Sequence, residues 1–339
     1  VAAFLALLGL VGLVACSSGD AGRPSPTTRP GRARPTTTAA LPTAPLTGLP
    51  DPTGASARRP VVAVKVDNHP AARPQSGLEQ ADVVWTEVVE GQLTRFLAMY
   101  QSAAPEVVGP VRSVRRTDPL IVWPLGGVLA FSGGARDALG ALAAAPVVAV
   151  DEARAGSAMF RDRARPAPHN LYVRPDRLWD RGGEPVPPPA LFTYRPDGPG
   201  GGEPAAEVGI GYPGSFGVTY RWDPASGAWR RFEGGRAFLG RSGGQLAATN
   251  VVVMVVPYQG GVGRPGSEAR LVGEGEAWVL GAGRAVPARW VRPRREEPAR
   301  LLDAAGRPVP RRPARTWVEL PDPSHPVAVA PGGEAGAGR

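Results

Sequence analysis

One cysteine, one lysine and three histidines are all that this 339-residue sequence carries of those types. Each scarcity removes a class of chemistry. With Cys16 alone no intrachain disulfide can form, so the fold rests on an apolar core, which 42% hydrophobic residues can supply at this length. His69, His169 and His325 fall in no HxxxH or HExxH spacing and in no Cys/His cluster, so no metal site is expected. A site made of His69, His169 and a carboxylate is the one geometric alternative. No P-loop occurs, and the GxGxxG matches at Gly209 and Gly261 each place a proline before the last glycine and open no helix. The GxSxG match at 240–244 sits in a glycine-rich loop, without the strand-to-helix turn that gives the motif its meaning. No cofactor is expected.

Lysine is nearly absent but positive charge is not: the formal balance is +9, carried by arginines scattered among Ala, Gly and Pro. No aromatic-interleaved basic segment or recognition helix appears, so no nucleic-acid partner is expected. Weak attraction to anionic lipid or wall polymers is the consequence drawn from the charge.

What is present begins with an apolar, small-residue run over residues 1–15 that ends in Leu13-Val14-Ala15-Cys16, the form of a bacterial lipobox. The run falls short of the roughly 20 apolar residues of a membrane-spanning helix. We therefore expect a lipoprotein signal over 1–16, cleavage before Cys16 and a diacylglyceryl anchor on its thiol, since two acyl chains anchor stably where one is marginal. The chain would then be exported and held on the outer face of the cytoplasmic membrane. Residues 17–45, rich in Ser, Thr, Pro, Ala and Arg, cannot bury enough surface to offset their ordering entropy and read as a disordered tether.

Beyond the tether the pattern predicts an α+β protein. Residues 46–185 read as an N-terminal α/β-type domain with a mixed sheet. A Pro/Gly-rich linker follows over 186–210, then a smaller, mostly antiparallel β domain over 211–330 and a disordered tail over 331–339. The strongest signals are a buried strand at 61–66, a hairpin of 82–89 with 93–100 about Glu90-Gly91-Gln92, and a strand at 249–256. Asp118-Pro119 reads as an N-cap and first-turn proline. Trp222, Trp229, Trp278, Trp290 and Trp317 read as core or hairpin packing of the β half rather than a sugar platform.

Four segments of the first half, DNHPAARPQSGLEQAD at 67–82, EVVEGQLTRFLA at 87–98, GPVRSVR at 109–115 and PHNLY at 168–172, resemble the YerB-like lipoprotein family, catalogued as domain of unknown function 3048. The resemblance continues through TNVVVM at 249–254 and RTWVEL at 315–320, and so covers residues 46–320. It implies a family and no activity.

The site must therefore be argued from the residues. Asp67, Asn68, Arg73, Gln75, Glu90, Arg95, Arg112, Arg115, His169, Asn170 and Tyr172 all lie at the ends or turns of predicted apolar strands, where a sheet rim gathers them. Arginine forks bind carboxylate or phosphate, and Asn, Gln and Tyr supply neutral hydrogen bonds, so the rim suits a wall glycan, an anionic polymer or an envelope protein. Binding is the first expectation. A peptidoglycan- or glycan-acting hydrolase using Glu90 with Glu87 or Asp67 is the alternative; against it, Glu90 pairs with Arg95 and Glu87 is solvated. A scaffold with no small ligand is the third.

Overall fold

A computed structural model describes residues 42–183, 187–214 and 217–332, all within one compact unit, Leu41–Arg339. The lipobox with Cys16, tether residues 17–41 and tail residues 333–339 lie outside the described residues. Residues 42–45, assigned above to the tether, belong to the folded unit: Ala44 is buried and Thr43 bridges Pro50.

The first half runs β1 (Val62–Asp67), β2 (Val83–Val89), β3 (Leu93–Tyr100), α1 (Thr117–Val122), β4 (Val128–Ala130), α2 (Arg136–Ala143) and β5 (Val148–Val150). Then come α3 (Glu152–Ala155), β6 (Met159–Arg161) and β7 (Leu171–Val173). β1 is antiparallel to β3 and parallel to β4, and β2 closes the expected hairpin on β3. This is the mixed sheet that the pattern predicts. β1 and β2 are buried along their whole length, as continuous apolar runs require.

The second half is mostly antiparallel β, as expected. Its strands are β8 (Glu203–Ile210), β9 (Val218–Asp223), β10 (Ala228–Glu233), β11 (Arg236–Ala237), β12 (Ala247–Ala248), β13 (Asn250–Met254), β14 (Tyr258–Gln259) and β15 (Glu268–Ala269). β16 (Gly273–Gly281), β17 (Arg284–Arg292), β18 (Arg300–Leu302), β19 (Thr316–Glu319) and β20 (Val327–Pro331) complete it. The segment 186–210, assigned to a linker, contains β8, which pairs with β9, β17 and β20, and buries Leu191 and Phe192. Pro331, assigned to the tail, ends β20.

The halves are joined edge to edge in one sheet. β19 pairs in parallel with β2 on one side and β13 on the other, so one sheet runs from β5 through β1, β3 and β2 into β19, β13, β16 and β17. The hairpin leaves β2 with a free apolar edge, and a buried strand cannot keep unpaired N–H and C=O groups. β19 satisfies them. The tryptophans pack as expected: Trp229, Trp290 and Trp317 are buried, and Trp222 and Trp278 lie against the core.

A second join is polar. Arg231 on β10 is fully buried, its Nη1 donates to Glu233 Oε2 at 2.8 Å and its Nη2 lies 3.4 Å from Glu319 Oε1 on β19. Phe96, Tyr220, Phe238 and Trp317 rings surround its guanidinium at 4.7–5.9 Å. Tyr212 and Tyr220 hydroxyls donate to the two oxygens of Glu319, each at 2.6 Å. Glu319→Ala would leave this cation and both hydroxyls short of an acceptor. It is expected to destabilise by about 3–5 kcal/mol in urea unfolding, whereas breaking the exposed Arg289–Glu274 pair with Glu274→Ala stays within about 1 kcal/mol.

Candidate functional site

Beneath the rim lies a buried charge cluster. Lys65, the only lysine, points from the middle of β1 to Glu87 on β2 and, at 2.8 Å, to Asp118 Oδ1 in the first turn of α1. All three are buried. One cation against two carboxylates leaves excess negative charge out of water. Burial and repulsion from Asp118 outweigh Lys65 and push the Glu87 carboxyl up to about 7. Asp118 Oδ2 also accepts the Arg115 N–H at 2.7 Å, and the Lys65 carbonyl accepts the Arg112 N–H at 2.9 Å. The loop that carries Arg112, Arg115 and Arg116 is thus fastened to the Lys65 main chain and to the Asp118 side chain that Lys65 holds.

Strand register then lays out the rim. Asp67, Arg95 and Glu87 are direct neighbours across β1, β3 and β2, on the same face as Lys65. At the end of β1, Asp67 Oδ1 accepts the His69 N–H at 3.0 Å, and its Oδ2 lies 2.7 Å from His169 Nδ1. Arg112 Nε approaches the same oxygen at 2.9 Å, with its N–H out of line, so this contact is an ion pair without a good hydrogen bond. The His69 and His169 rings stack at 4.9 Å.

Glu90 stands in the hairpin turn, which needs Gly91 at φ +74° and docks by donating the Gly91 N–H to Gly263 of the second half at 3.1 Å. Arg115 grips Glu90 with both Nε, at 2.7 Å, and Nη2. Arg95 Nη2 lies 3.7 Å from the same carboxylate, while its Nη1 donates to Ser113 O at 3.1 Å. Burial favours a neutral Glu90, but the Arg115 hydrogen bond and charge, with Arg95 behind them, hold its carboxyl below the usual range. Burial first, and then Arg115, bring Arg95 down to about 10. A cavity of about 350 Å³ opens here between Glu90, Ser113, Arg115, Arg116, Asp137 and Ser267. Arg116 is held at its edge by Glu268 at 2.6 Å, and the buried Ser267 hydroxyl has no hydrogen-bond partner among the described residues.

The other expected site residues sit elsewhere. Asn68 donates to Thr94 Oγ1 at 2.7 Å and to Glu233 at 3.2 Å, and accepts from Arg73 Nε at 3.1 Å and Gln75 Nε2 at 3.0 Å. Arg73 also pairs with Glu233. Asn68 and Arg73 therefore lock β10 onto the first half, and Gln75 holds Asn68 in place. Tyr172 is buried; its hydroxyl accepts from Arg165 at 2.7 Å and from Arg241 at 3.3 Å. Asn170 faces outward to Arg161 at 2.9 Å.

The expectations for three carboxylates change. Glu87 is not solvated, nor does it converge with Glu90 on a cleft: β-strand alternation sends it inward to Lys65, whereas Glu90 leaves the strand at the turn. Asp67 is likewise buried among its three partners. Asp118 is no N-cap; it lies inside α1, which starts at Thr117, and is spent on Lys65 and Arg115. Among the described residues no group of three or more His, Cys, Asp or Glu side chains gathers as a metal site would require. His69 Nδ1 already accepts the Ala71 N–H, and His169 Nδ1 faces Asp67.

Sequence reasoning passed over Lys65, Asp118, Arg116 and Ser267. Lys65 carried a visible signal, a lone lysine inside an unbroken apolar run, which demands buried counter-charges. Arg116 and Ser267 gave none, because they meet only when the 263–267 loop lands on the hairpin.

Fold and rim define a class, an α+β protein whose two halves share one sheet and whose hairpin turn carries an arginine-rich cavity. The chain belongs to the DUF3048 family of proteins of unknown function: the family's N-terminal domain matches residues 46–184 and its C-terminal domain residues 208–318. A similar protein, "Putative lipoprotein YerB" of Bacillus subtilis (strain 168), is 42% identical over 146 residues, 40% of this chain and 41% of that protein. The aligned stretch thus spans about two fifths of that relative's length. The crystal structure of the YerB protein from Bacillus subtilis matches with a TM-score of 0.72 at 26% identity, covering 84% of this chain and 99% of that one.

The Glu87 carboxyl gives the cluster a pH signature. Its folded value of about 7 lies above the ordinary 4.5, so between them the native state binds more protons than the unfolded state. This contribution is complete below about pH 4.5 and is lost as pH rises through about 7. Urea-derived stability is expected to fall over that interval, and Glu87→Gln to flatten the slope.

Proposed function

We propose that this chain is a lipid-anchored extracytoplasmic protein that binds an anionic component of the cell envelope at the cavity beside Glu90, Arg95 and Arg115, without cleaving it. One observation carries the reading: three guanidiniums, of Arg95, Arg112 and Arg115, share two carboxylates, of Asp67 and Glu90. The strain bears on Arg95, which meets a carboxylate only at 3.7 Å and which burial and Arg115 bring down to about 10; an incoming carboxylate or phosphate relieves that repulsion while accepting charge-assisted hydrogen bonds. Ser113 and the unpartnered Ser267 hydroxyl offer neutral contacts to the rest of the ligand.

Binding is favoured over hydrolysis because Glu90, held ionised by Arg115, is a poor general acid, and Glu87 lies buried behind it. The anchor rests on the Leu13-Val14-Ala15-Cys16 motif and on the word lipoprotein in the name of the similar YerB.

Solubilised wall polymers and peptidoglycan fragments, added to the unit from Leu41 onward, provide the test. At about 100 times its dissociation constant a ligand stabilises by about 2.7 kcal/mol, visible as a thermal shift. The shift is expected to vanish in Arg95→Ala, with folding retained and the ligand recovered intact. Recovery of cleaved ligand, with cleavage abolished in Glu90→Gln, would replace binding by catalysis. In cells, Cys16→Ser is expected to move the protein from the membrane fraction to the medium.

A further inference from the structure

A second cavity lies wholly outside this rim. It measures about 350 Å³ and is formed by residues 189–193, 297–301, 308, 309 and 311, with Leu191, Phe192, Leu301, Pro308 and Val309 as apolar walls. Arg311 lines it. The Arg311 backbone is fixed on both sides: its N–H donates to Thr193 O at 2.9 Å, and its carbonyl accepts from Arg195 N at 2.8 Å. Its side chain is 1% exposed and stacks on Phe192, with Cζ 3.7 Å from the ring centroid.

Among the described residues this guanidinium has no counter-charge: no carboxylate lies within 4.0 Å of it, and its Nε and Nη2 have no hydrogen-bond partner. Glu297, the acid at the cavity wall, is committed to Arg294. Burial accordingly brings Arg311 down to about 9. The two other buried arginines of this half also keep N–H groups without a hydrogen bond, but each has acceptors, Arg231 in Glu233 and Glu319 and Arg292 in the carbonyls of Leu120 and Arg295. A buried, unpaired arginine destabilises a fold relative to an apolar side chain of the same size. A stacked guanidinium keeps its in-plane N–H edge for a planar, two-oxygen acceptor.

We propose that this cavity is a binding site for a small amphiphilic acid, whose carboxylate meets the Arg311 guanidinium and whose apolar body fills the space between Leu191, Leu301 and Val309. The volume is at the lower end for ligand pockets, which fits one medium-chain acid. The site shares no residue with the cavity beside Glu90, so either assignment can fail alone.

Isothermal titration calorimetry of the purified chain with octanoate, the neutral octanamide and inorganic phosphate decides the matter. Octanoate is expected to bind one to one, and octanamide and phosphate at least ten-fold more weakly. Arg311→Met is expected to lose octanoate binding at least ten-fold while its urea midpoint without ligand equals or exceeds that of the original chain. Leu301→Trp, which fills the cavity and leaves the guanidinium alone, is expected to abolish binding with the fold intact, and it serves if Arg311→Met fails to fold. Absence of octanoate binding, equal binding of octanamide, or unchanged binding in Arg311→Met or Leu301→Trp would each overturn the proposal.

Discussion

Everything on the rim depends on the burial of Lys65. An ammonium group cannot lie in an apolar strand without acids to meet it. Glu87 answers from the adjoining hairpin and Asp118 from α1, so the only lysine draws three separate segments to one point. Asp118 is also the acceptor for Arg115 N–H, and the Lys65 carbonyl the acceptor for Arg112 N–H. Two arginines of the site are therefore positioned by the residue that holds the core together. A loop of three arginines would otherwise be a set of solvated, mutually repelling side chains. Here it is a fixed array.

The central sheet has a second polar layer on its opposite face. Alternation along β2 and β3 sends Glu87 and Arg95 one way and Thr86 and Phe96 the other, where Glu319 of β19 meets Arg231. Asn68 and Arg73 join this second layer through Glu233, and Gln75 joins it through Asn68. The family motif 67–82 thus serves both faces. Asp67 organises the rim, and the residues after it clamp the second half of the chain. A protein whose halves share a continuous sheet and a buried ion network is built to keep its cavity geometry fixed, the condition under which arginine forks discriminate among anions.

Much of this was legible in advance. The strand at β1, the hairpin about Glu90, the strand at β13 and the α+β class all follow from apolar runs and turn residues, which act over a few residues and need no partner. The burial of the tryptophans follows from the same logic. Strand β8, hidden in a segment dense with Pro and Gly, was not legible, because its pairing to β9, β17 and β20 overrides its composition.

The sequence by itself determined the elements, the family and the chemical types available for a site, because propensity, alternation and motif are local properties. It also listed the polar residues of the rim. Only the tertiary structure decided which of them meet: Glu90 with Arg115, Asp67 with His169 and Arg112, and, on the far side, Asn68 and Arg73 with Glu233 and Gln75 with Asn68. It alone turned Glu87 away from Glu90 and left Arg311 without an acid among the described residues. The physical reason is that a buried charge is settled by what lies within about 4 Å of it. Those neighbours come from distant segments, Arg73 and Glu233 being 160 residues apart in the chain.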